Sequence, residues 1–159
     1  MAYWLMKSEP EECSIDDALA APKATVPWTG VRSFQARNFM RDQMAIGDGV
    51  LFYHSSCAVP GIAGVAEVAS KSYPDPTQFD PGSPYYDSAS RPDKPRWSLV
   101  DVRALYKVEV FTLAQMREAP TLQDMLVLKR GNRLSITPVQ PADWHRLIGM
   151  MKKVATGRR

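Results

Sequence analysis

Two short apolar runs that lie close together constrain the fold of this chain most. Val50–Tyr53 is rich in β-branched and aromatic residues, Ile62–Val68 is a second such run, and a Pro-Gly step lies between them. An uninterrupted apolar run is buried on both faces, so both strands are expected at the centre of a sheet or closed barrel. Tyr53, His54 and Ser55 place polar groups directly at the end of the first run, which is where a ligand is expected to bind.

Length and composition indicate one domain. The chain has 159 residues, of which 45% are hydrophobic and 23% charged, enough to bury a core. No run of about eighteen apolar residues occurs and a strand pattern begins at the N-terminus, so neither a membrane span nor a signal peptide is expected. Cys13 and Cys57 lack metal-site spacing. We expect a monomeric cytoplasmic protein, nuclear if the source is eukaryotic, without metal or cofactor.

The remaining pattern alternates strands with short helices. Strands are predicted at 3–7, 97–111 and 133–137, and helices at 15–21, 34–42, 113–119, 122–129 and 141–151. Cap residues support four of the helix starts: Ser14 with Asp17, Ser33, Thr112 with Gln115, and Thr121 with Asp124. The strand from residue 97 exceeds the usual length, so a bulge is expected within it. Without a repeat or linker, these elements predict one mixed α/β barrel wrapped by helices.

The segment from Ser72 to Arg96 differs from the rest of the chain in composition. It holds six prolines and four aromatic residues. Disordered segments are poor in aromatics, so an ordered flap over one mouth of the barrel is expected. The spacing of its four aspartates, Asp75, Asp80, Asp87 and Asp93, fits no standard metal-binding loop.

The positive charge is concentrated at the C-terminal end. From Lys129 onward there are eight Lys or Arg residues and one acid, Asp143, whereas the preceding part of the chain is net negative. This distribution has two interpretations: a solvated face with a frayed tail, or a patch that contacts phosphates. Under the second interpretation, Lys129, Arg130 and Arg146 are the candidate phosphate contacts.

Six motifs occur in one order along the chain. They are Tyr-Trp-Leu-Met-Lys-Ser-Glu-Pro at 3–10, Trp-Thr-Gly-Val-Arg at 28–32 with Ala-Arg-Asn-Phe at 36–39, Gly-Asp at 47–48 with Phe-Tyr-His-Ser at 52–55, Gly-Ile-Ala-Gly at 61–64, Tyr-Pro-Asp-Pro-Thr at 73–77, and Arg-Leu-Ser-Ile-Thr-Pro-Val at 133–139. Together they resemble the EVE domain over nearly the whole chain. The resemblance implies an α/β protein of the α+β type: a PUA-like mixed β-barrel flanked by short helices over residues 1–151, followed by a basic tail at 152–159.

The same resemblance implies a function. EVE domains are similar to YTH domains, which read N6-methyladenine in RNA, and EVE relatives are associated with 5-methylcytosine and its oxidised forms in DNA. We therefore expect a non-catalytic domain that binds DNA or RNA and holds one methylated or oxidised cytosine, or a methylated RNA base, in an aromatic pocket. A small-molecule or protein-interaction module is the alternative. An enzyme is disfavoured, because adjacent residues such as His54 and Ser55 point to opposite faces of a strand and no Gly-x-Ser-x-Gly elbow exists.

The resemblance also assigns the pocket residues. Lys7 and Ser8 match the Lys-Ser pair that binds the base in YTH-like pockets. Trp28 and Trp97 match the two aromatic walls of such a pocket. The predicted base pocket comprises Lys7, Ser8, Trp28, Val31, Arg32, Tyr53, His54, Ser55, Trp97, Arg133, Leu134 and Ser135. Ser33 stands where the family has Asn, and we interpret it as a helix cap. Because Trp28 lies in a Pro/Gly loop, its removal is expected to leave the barrel folded.

The charge distribution yields one prediction. Replacing Lys129, Arg130 and Arg146 by Ala should weaken binding to modified and unmodified strands alike and flatten the salt dependence, because phosphate contacts carry no base information. A titration of each strand at several salt concentrations measures both effects. Normal binding by the triple variant with an unchanged salt slope would make the patch a solvated surface only.

Overall fold

Short strands alternate with short helices over residues 1–155, the part of the chain that the computed structural model describes. The strands are β1 (Tyr3–Ser8), β2 (Thr25–Pro27), β3 (Gly49–His54), β4 (Gly61–Val68), β5 (Tyr73–Pro74), β6 (Ser98–Leu99), β7 (Asp101–Thr112) and β8 (Ile136–Val139). The α-helices are α1 (Ile15–Ala20), α2 (Phe34–Asn38), α3 (Leu113–Glu118) and α4 (Pro141–Met150), and a π-helical turn, Phe39–Gln43, continues α2. Short 3₁₀ turns cover Pro76–Phe79, Pro120–Leu122 and Leu126–Leu128.

Six strands form the main sheet in the order β2-β7-β4-β3-β1-β8. The pairing of β1 with β3 is parallel and the other pairings are antiparallel, so the predicted mixed sheet of an α+β domain is confirmed. The central position expected for β3 and β4 is also confirmed. The sheet does not close into a barrel within residues 1–155. Pro27 and Pro138 each remove an amide donor from an outer strand, and such strands favour the edge of a sheet over further pairing.

The two faces of the sheet are covered by separate apolar cores. Trp4, Met6 and Phe52 lie in the core on one face, packed with residues of α1 and α2. Leu5 and Leu51, their neighbours in the chain, lie in the core on the other face with residues of α3 and α4. Successive side chains of a strand point to opposite faces, so the unbroken apolar runs supply both cores at once.

Local cap signals are confirmed at three helix starts. The hydroxyl of Ser14 accepts a hydrogen bond from the amide of Asp17 at 3.0 Å, and the Asp17 carboxylate accepts from the Ser14 amide at 2.9 Å. The pair Thr112 and Gln115 forms the same reciprocal arrangement at the start of α3. Ser33 caps α2 through the amide of Ala36. These contacts span three residues, so the local sequence is sufficient to predict them.

The predicted helix at 122–129 is wrong, and so is its predicted cap at Thr121 with Asp124. The structure has two 3₁₀ turns there, and Leu122, Met125 and Val127 all point into the core. Positions i, i+3 and i+5 cannot lie on one narrow stripe of an α-helix, so burial of all three side chains favours the irregular path.

The predicted last strand is displaced along the chain. It begins at Ile136 rather than Arg133 and continues to Val139. The side chain of Asn132 accepts a hydrogen bond from the amide of Leu134 at 3.0 Å, which turns the backbone before the ladder can start.

The long strand predicted from residue 97 is divided into β6 and β7. Register shifts occur along its pairing with β4, which confirms the expected bulge. Val102 and Val108 are buried as the alternation predicts, whereas Val110 is exposed, beyond the last of the buried positions. The irregular pairing changes which side chains face the core, and the alternation alone does not reveal this.

The flap, residues 72–96, is ordered. The side chain of Gln78 is fully buried and donates to the carbonyls of Asp75 and Trp97 at 2.7 and 2.8 Å. Its own carbonyl accepts from the Ser90 hydroxyl and the Trp97 amide. One buried amide therefore holds the flap together, since its two polar atoms bond to Asp75, Ser90 and Trp97, which lie at separate positions along the chain.

The beginning of the predicted basic tail pairs with the sheet. The carbonyl of Lys152 accepts from the Glu109 amide, and the amide of Val154 donates to the Lys107 carbonyl, both at 2.8 Å. Arg158 and Arg159 lie outside the described residues. Among residues 1–155, no helix has the length and apolar character needed to cross a membrane.

Asp48 links β3 to the start of the chain. It is 4% exposed, and its carboxylate accepts from the Trp4 indole at 3.1 Å and from the amides of Ala2 and Ala45 at 3.2 and 2.9 Å. Three donors would lose their acceptor if this carboxylate were removed.

Replacing Asp48 by Ala should therefore lower the free energy of unfolding by about 1–3 kcal/mol, the cost of leaving buried donors unsatisfied. Urea denaturation measures it. Asp124→Ala is the matched control, because Asp124 is fully exposed and its change should leave the urea midpoint unchanged. Equal shifts in both variants would contradict the role assigned to Asp48.

Candidate functional site

A cleft of about 720 Å³ opens where β1 ends. Its walls come from four segments: the β1–α1 connection, the loop at 27–32, the residues after β3, and the turn before β8, with one flap residue at the rim. The lining residues are Lys7, Ser8, Glu9, Glu12, Cys13, Pro27, Trp28, Thr29, Gly30, Val31, Arg32, Ser55, Ser56, Tyr85, Asn132, Arg133 and Ser135. The cleft thus brings together eight of the twelve predicted pocket residues.

The parallel pairing of β1 with β3 builds the floor of the cleft. Both strands end at the same edge of the sheet, and the amide of Ser55 donates to the carbonyl of Ser8 at 3.0 Å. The hydroxyl of Ser8 donates to the Cys13 carbonyl at 2.6 Å, which fixes the connection to α1. Carboxyl ends of adjacent parallel strands are a common location for ligand sites, because the chain diverges there and leaves a crevice.

Lys7 supplies a positive charge inside the cleft. Its side chain is half-buried, and burial lowers the pKa of its ammonium group from the ordinary value. No carboxylate within residues 1–155 forms an ion pair with it. A partly desolvated ammonium without a protein counter-ion favours an anionic or strongly polar ligand group.

Trp28 belongs both to the core and to the cleft. Trp28 is 6% exposed, and its ring forms a T-shaped contact with Phe52, with 5.2 Å between ring centroids. The indole N–H makes no hydrogen bond within residues 1–155. Every buried side-chain nitrogen or oxygen in these residues has a hydrogen-bond partner, so the unbonded indole N–H must be accessible to solvent. The structure argues against the expectation that Trp28 can be removed cheaply, because its backbone lies in a loop while its ring is part of the core.

Asp75, near the start of the flap, holds the loop at 27–32 in place. Its carboxylate is completely buried and accepts from the Gly30 amide at 2.8 Å, from Arg32 at 3.1 Å, and from the amide and hydroxyl of Thr77. Burial alone would raise the pKa of Asp75, but the hydrogen bonds from Thr77, Gly30 and Arg32 lower it overall. The charged form is therefore stabilised by its hydrogen-bond donors.

Arg32 completes this connection from the opposite side. Its guanidinium group donates to Asp75 and to the hydroxyl of Thr77, and it donates to the backbone carbonyl of Tyr85 at 2.8 and 3.1 Å. A further bond reaches the Val31 carbonyl. Nearly all donors of Arg32 are thus used within the protein, so it positions the loop and the flap relative to each other.

Tyr85 and Glu12 are cleft residues that the sequence did not reveal. The Tyr85 hydroxyl donates to the Glu12 carboxylate across 73 positions of the chain. The Tyr85 ring lies directly on Gly30, where a Cβ atom would approach its Cζ to 2.7 Å and where φ is +85°. Only glycine permits both the left-handed backbone and this close approach. The glycine of the Trp-Thr-Gly motif was the available signal for a close contact at this position, but the sequence does not show that Tyr85 is the residue in contact.

Two predicted residues of β3 lie outside the cleft. Tyr53 belongs to the core on the other face, because it alternates with Phe52 along the strand. His54 accepts a hydrogen bond through Nε2 from the Ile15 amide at 3.1 Å, which fixes the start of α1. Burial lowers the pKa of His54, which favours the neutral imidazole that this acceptor role requires.

Trp97 and Leu134 also lie outside the cleft. Trp97 is 6% exposed, stacks on Phe34 at 4.8 Å and donates its indole N–H to Asp87 at 2.8 Å, so its ring stabilises the flap. Leu134 follows the turn formed by the side chain of Asn132. The aromatic residue of the flap that borders the cleft is Tyr85.

The predicted phosphate contacts are distributed unevenly. Lys129 and Arg130 are exposed in the segment that leads to Arg133 at the cleft. Arg146, on α4, donates to its neighbour Asp143 at 3.3 Å and to the Thr121 carbonyl at 3.2 Å. Arg146 therefore has fewer donors available to a ligand.

The fold and the site define the PUA-like class of α+β domains. The sheet is mixed and carries short helices on both faces, and a polar cleft lies at the ends of β1 and β3. Residues 2–150 match the EVE domain family. The chain therefore belongs to the EVE domain family.

Individual relatives agree with this assignment. Thymocyte nuclear protein 1 of Homo sapiens is 39% identical over 170 residues, which cover 96% of this chain and 75% of that protein. A crystal structure of a protein from Pseudomonas putida has a TM-score of 0.89 at 43% identity, covering 94% of this chain and 99% of that one. The human THYN1 protein in complex with DNA containing 5-methylcytosine has a TM-score of 0.89 at 38% identity, covering 94% and 97% of the two chains.

The ion pair between Asp75 and Arg32 yields a prediction about stability and pH. Asp75→Asn should lower the free energy of unfolding by about 3 kcal/mol, because Arg32 then loses its buried counter-ion. The folded-state pKa of Asp75 is depressed, so its contribution is present above about pH 4 and is lost as the pH falls through the lower folded value. Urea denaturation across this range should show a smaller acid-induced loss in the variant.

Asp93→Asn is the matched control, since Asp93 pairs with Arg91 on the exposed surface of the same flap. It should leave the urea midpoint and its pH dependence unchanged. A wild-type acid profile retained in full by Asp75→Asn would show that other carboxylates are responsible.

Proposed function

We propose that this chain is a non-catalytic nucleic-acid-binding domain whose cleft accommodates one modified nucleobase, a methylated or oxidised cytosine. The cleft carries the proposal, because Trp28 and Lys7 line the same space. The human relative in complex with DNA containing 5-methylcytosine supports this choice of ligand, since 94% of this chain aligns with it at 38% identity.

The size and chemistry of the cleft are suitable for a single base. A volume of about 720 Å³ lies within the usual range of small-ligand pockets. A base that leaves its stack loses a few kcal/mol, and contact with an aromatic side chain restores about 1–3 kcal/mol. Trp28 is the aromatic contact that we propose, because it lines the cleft while its ring also packs on Phe52.

We assign polar contacts to the residues that surround Trp28. Lys7, Ser8, Ser55, Arg133 and Ser135 line the cleft and offer ammonium, guanidinium and hydroxyl groups to the base or its phosphate. Arg32 acts by positioning the loop, since its donors are engaged by the protein. For the phosphates beyond the cleft we propose Lys129 and Arg130, with a smaller contribution from Arg146.

The absence of catalysis is part of the proposal. A hydrolytic mechanism through Ser55 or Ser56 would require His54 as general base. The Nε2 atom of His54 is instead occupied by the Ile15 amide, and within residues 1–155 no hydrogen bond joins His54 to either serine. This arrangement supports binding rather than turnover.

Trp28→Phe tests the proposed contact. Phenylalanine retains part of the packing on Phe52 and removes the larger indole surface, so the protein should stay folded. Burial of one methyl group favours 5-methylcytosine over cytosine by about fourfold, and the variant should reduce this preference towards unity. Fluorescence anisotropy with duplexes that differ only in that methyl group measures the ratio, and a melting curve verifies folding.

Trp144→Phe is the control, because Trp144 stacks on Tyr3 in the other core and does not line the cleft. Its preference for the modified base should equal that of the wild type. An unchanged preference in Trp28→Phe would refute the contact. Binding that does not weaken with added salt would favour a small-molecule or protein module instead.

A further inference from the structure

Recognition of 5-methylcytosine presents a chemical problem that the proposed methyl contact cannot solve. Thymine carries the same methyl group at C5, so an aromatic wall fitted to that group accepts both bases. The two bases differ at position 4, where cytosine has an amino group that donates hydrogen bonds and thymine has a carbonyl that accepts them. A domain selective for cytosine derivatives therefore needs a group that only accepts.

Few side chains of the cleft meet that requirement. Hydroxyl groups such as those of Ser55 and Ser135 can donate or accept, so they do not discriminate between the two bases. The carbonyl oxygen of Asn132 already accepts from the Leu134 amide. An ionised carboxylate accepts without donating, and Glu9 and Glu12 are the two carboxylates that line the cleft.

Glu12 is the one that the protein holds in place. The Tyr85 hydroxyl donates to its Oε1 atom, and Oε2 accepts no hydrogen bond within residues 1–155. Burial and the hydrogen bond to Glu12 raise the pKa of Tyr85 to about 12, so the phenol remains protonated and donates at neutral pH. Arg32 fixes the backbone of Tyr85 through two bonds to its carbonyl. The second carboxylate oxygen of Glu12 is thus available to a ligand.

We propose that Glu12 determines base specificity by accepting a hydrogen bond from the 4-amino group of a cytosine derivative, and that it excludes thymine and uracil. The inference rests on the proposed function and extends it: 5-methylcytosine and its oxidised forms all keep the 4-amino group. Thymine would place its O4 carbonyl against the carboxylate, where two acceptors repel each other. Tyr85 is the positioning residue, because it orients Glu12 through its hydroxyl group.

Glu12→Gln is the decisive variant. The glutamine amide can rotate to donate to O4 of thymine or to accept from the amino group of cytosine, so it removes the discrimination while keeping the size of the side chain. The probes are duplexes with 5-methylcytosine, cytosine or thymine at one position opposite an abasic site, so that no base pair must be broken. The wild-type preference for 5-methylcytosine over thymine should fall by roughly tenfold.

Two further variants separate specificity from charge and position. Glu11→Gln removes the same charge from an exposed neighbour that does not line the cleft, so it should keep the wild-type preference. Tyr85→Phe removes only the hydroxyl and leaves the backbone bonds to Arg32, so the preference should fall partly. A general gain in DNA affinity on loss of a carboxylate should appear in Glu11→Gln and Glu12→Gln alike.

A preference retained in Glu12→Gln overturns the assignment, and so does a preference lost in Glu9→Gln instead. The proposed function is tested separately: it stands in both cases if the wild type distinguishes 5-methylcytosine from cytosine. If the wild type binds all three duplexes equally, the proposed function fails, and this inference fails with it.

Discussion

The buried carboxylate of Asp75 is the constraint on which the cleft depends. The two segments that it joins, the loop at 27–32 and the flap, have little regular structure of their own, so backbone ladders cannot fix their relative position. A buried carboxylate is unfavourable unless donors surround it, and here Gly30, Arg32 and Thr77 all donate to it. Any displacement of the loop from the flap would leave a buried charge without partners. This penalty keeps Trp28 and Tyr85 at their places on the cleft wall.

The sheet determines where that cleft can form. The parallel pairing of β1 with β3 places Ser8 and Ser55 side by side, where both strands end at one edge of the sheet. The same edge is then available to the loop and the flap. The two cores cover both faces of the sheet behind this edge, so that β3 and β4 are buried almost throughout. A site that includes loops is thus supported by the most buried strands of the molecule.

The charges of the cleft suit a division of roles between affinity and selectivity. Lys7 and Arg133 are the cations that line the cleft together with Arg32, and under the proposed function their contacts with phosphates would be independent of sequence. Glu12 works against general attraction to a polyanion, so a carboxylate at this position is consistent with a role in selection. The Arg32 guanidinium, although it is the most extensively bonded cation near the cleft, contributes to shape rather than to charge recognition.

The sequence by itself determined the elements whose causes are local. Apolar runs specified β1, β3 and β4, the pairs at Ser14 and Thr112 specified helix starts, and the ordered motifs indicated the family and much of the cleft. Tertiary structure decided which aromatic residue of this region lines the cleft: Trp97 packs in the flap and bonds to Asp87, whereas Tyr85 lines the cleft and bonds to Glu12. It also turned His54 from a ligand candidate into the acceptor for the Ile15 amide. Glu12 and Tyr85 are 73 positions apart and Ile15 and His54 are 39 apart, so no local pattern encodes these two contacts and only the folded chain brings the partners within hydrogen-bonding distance.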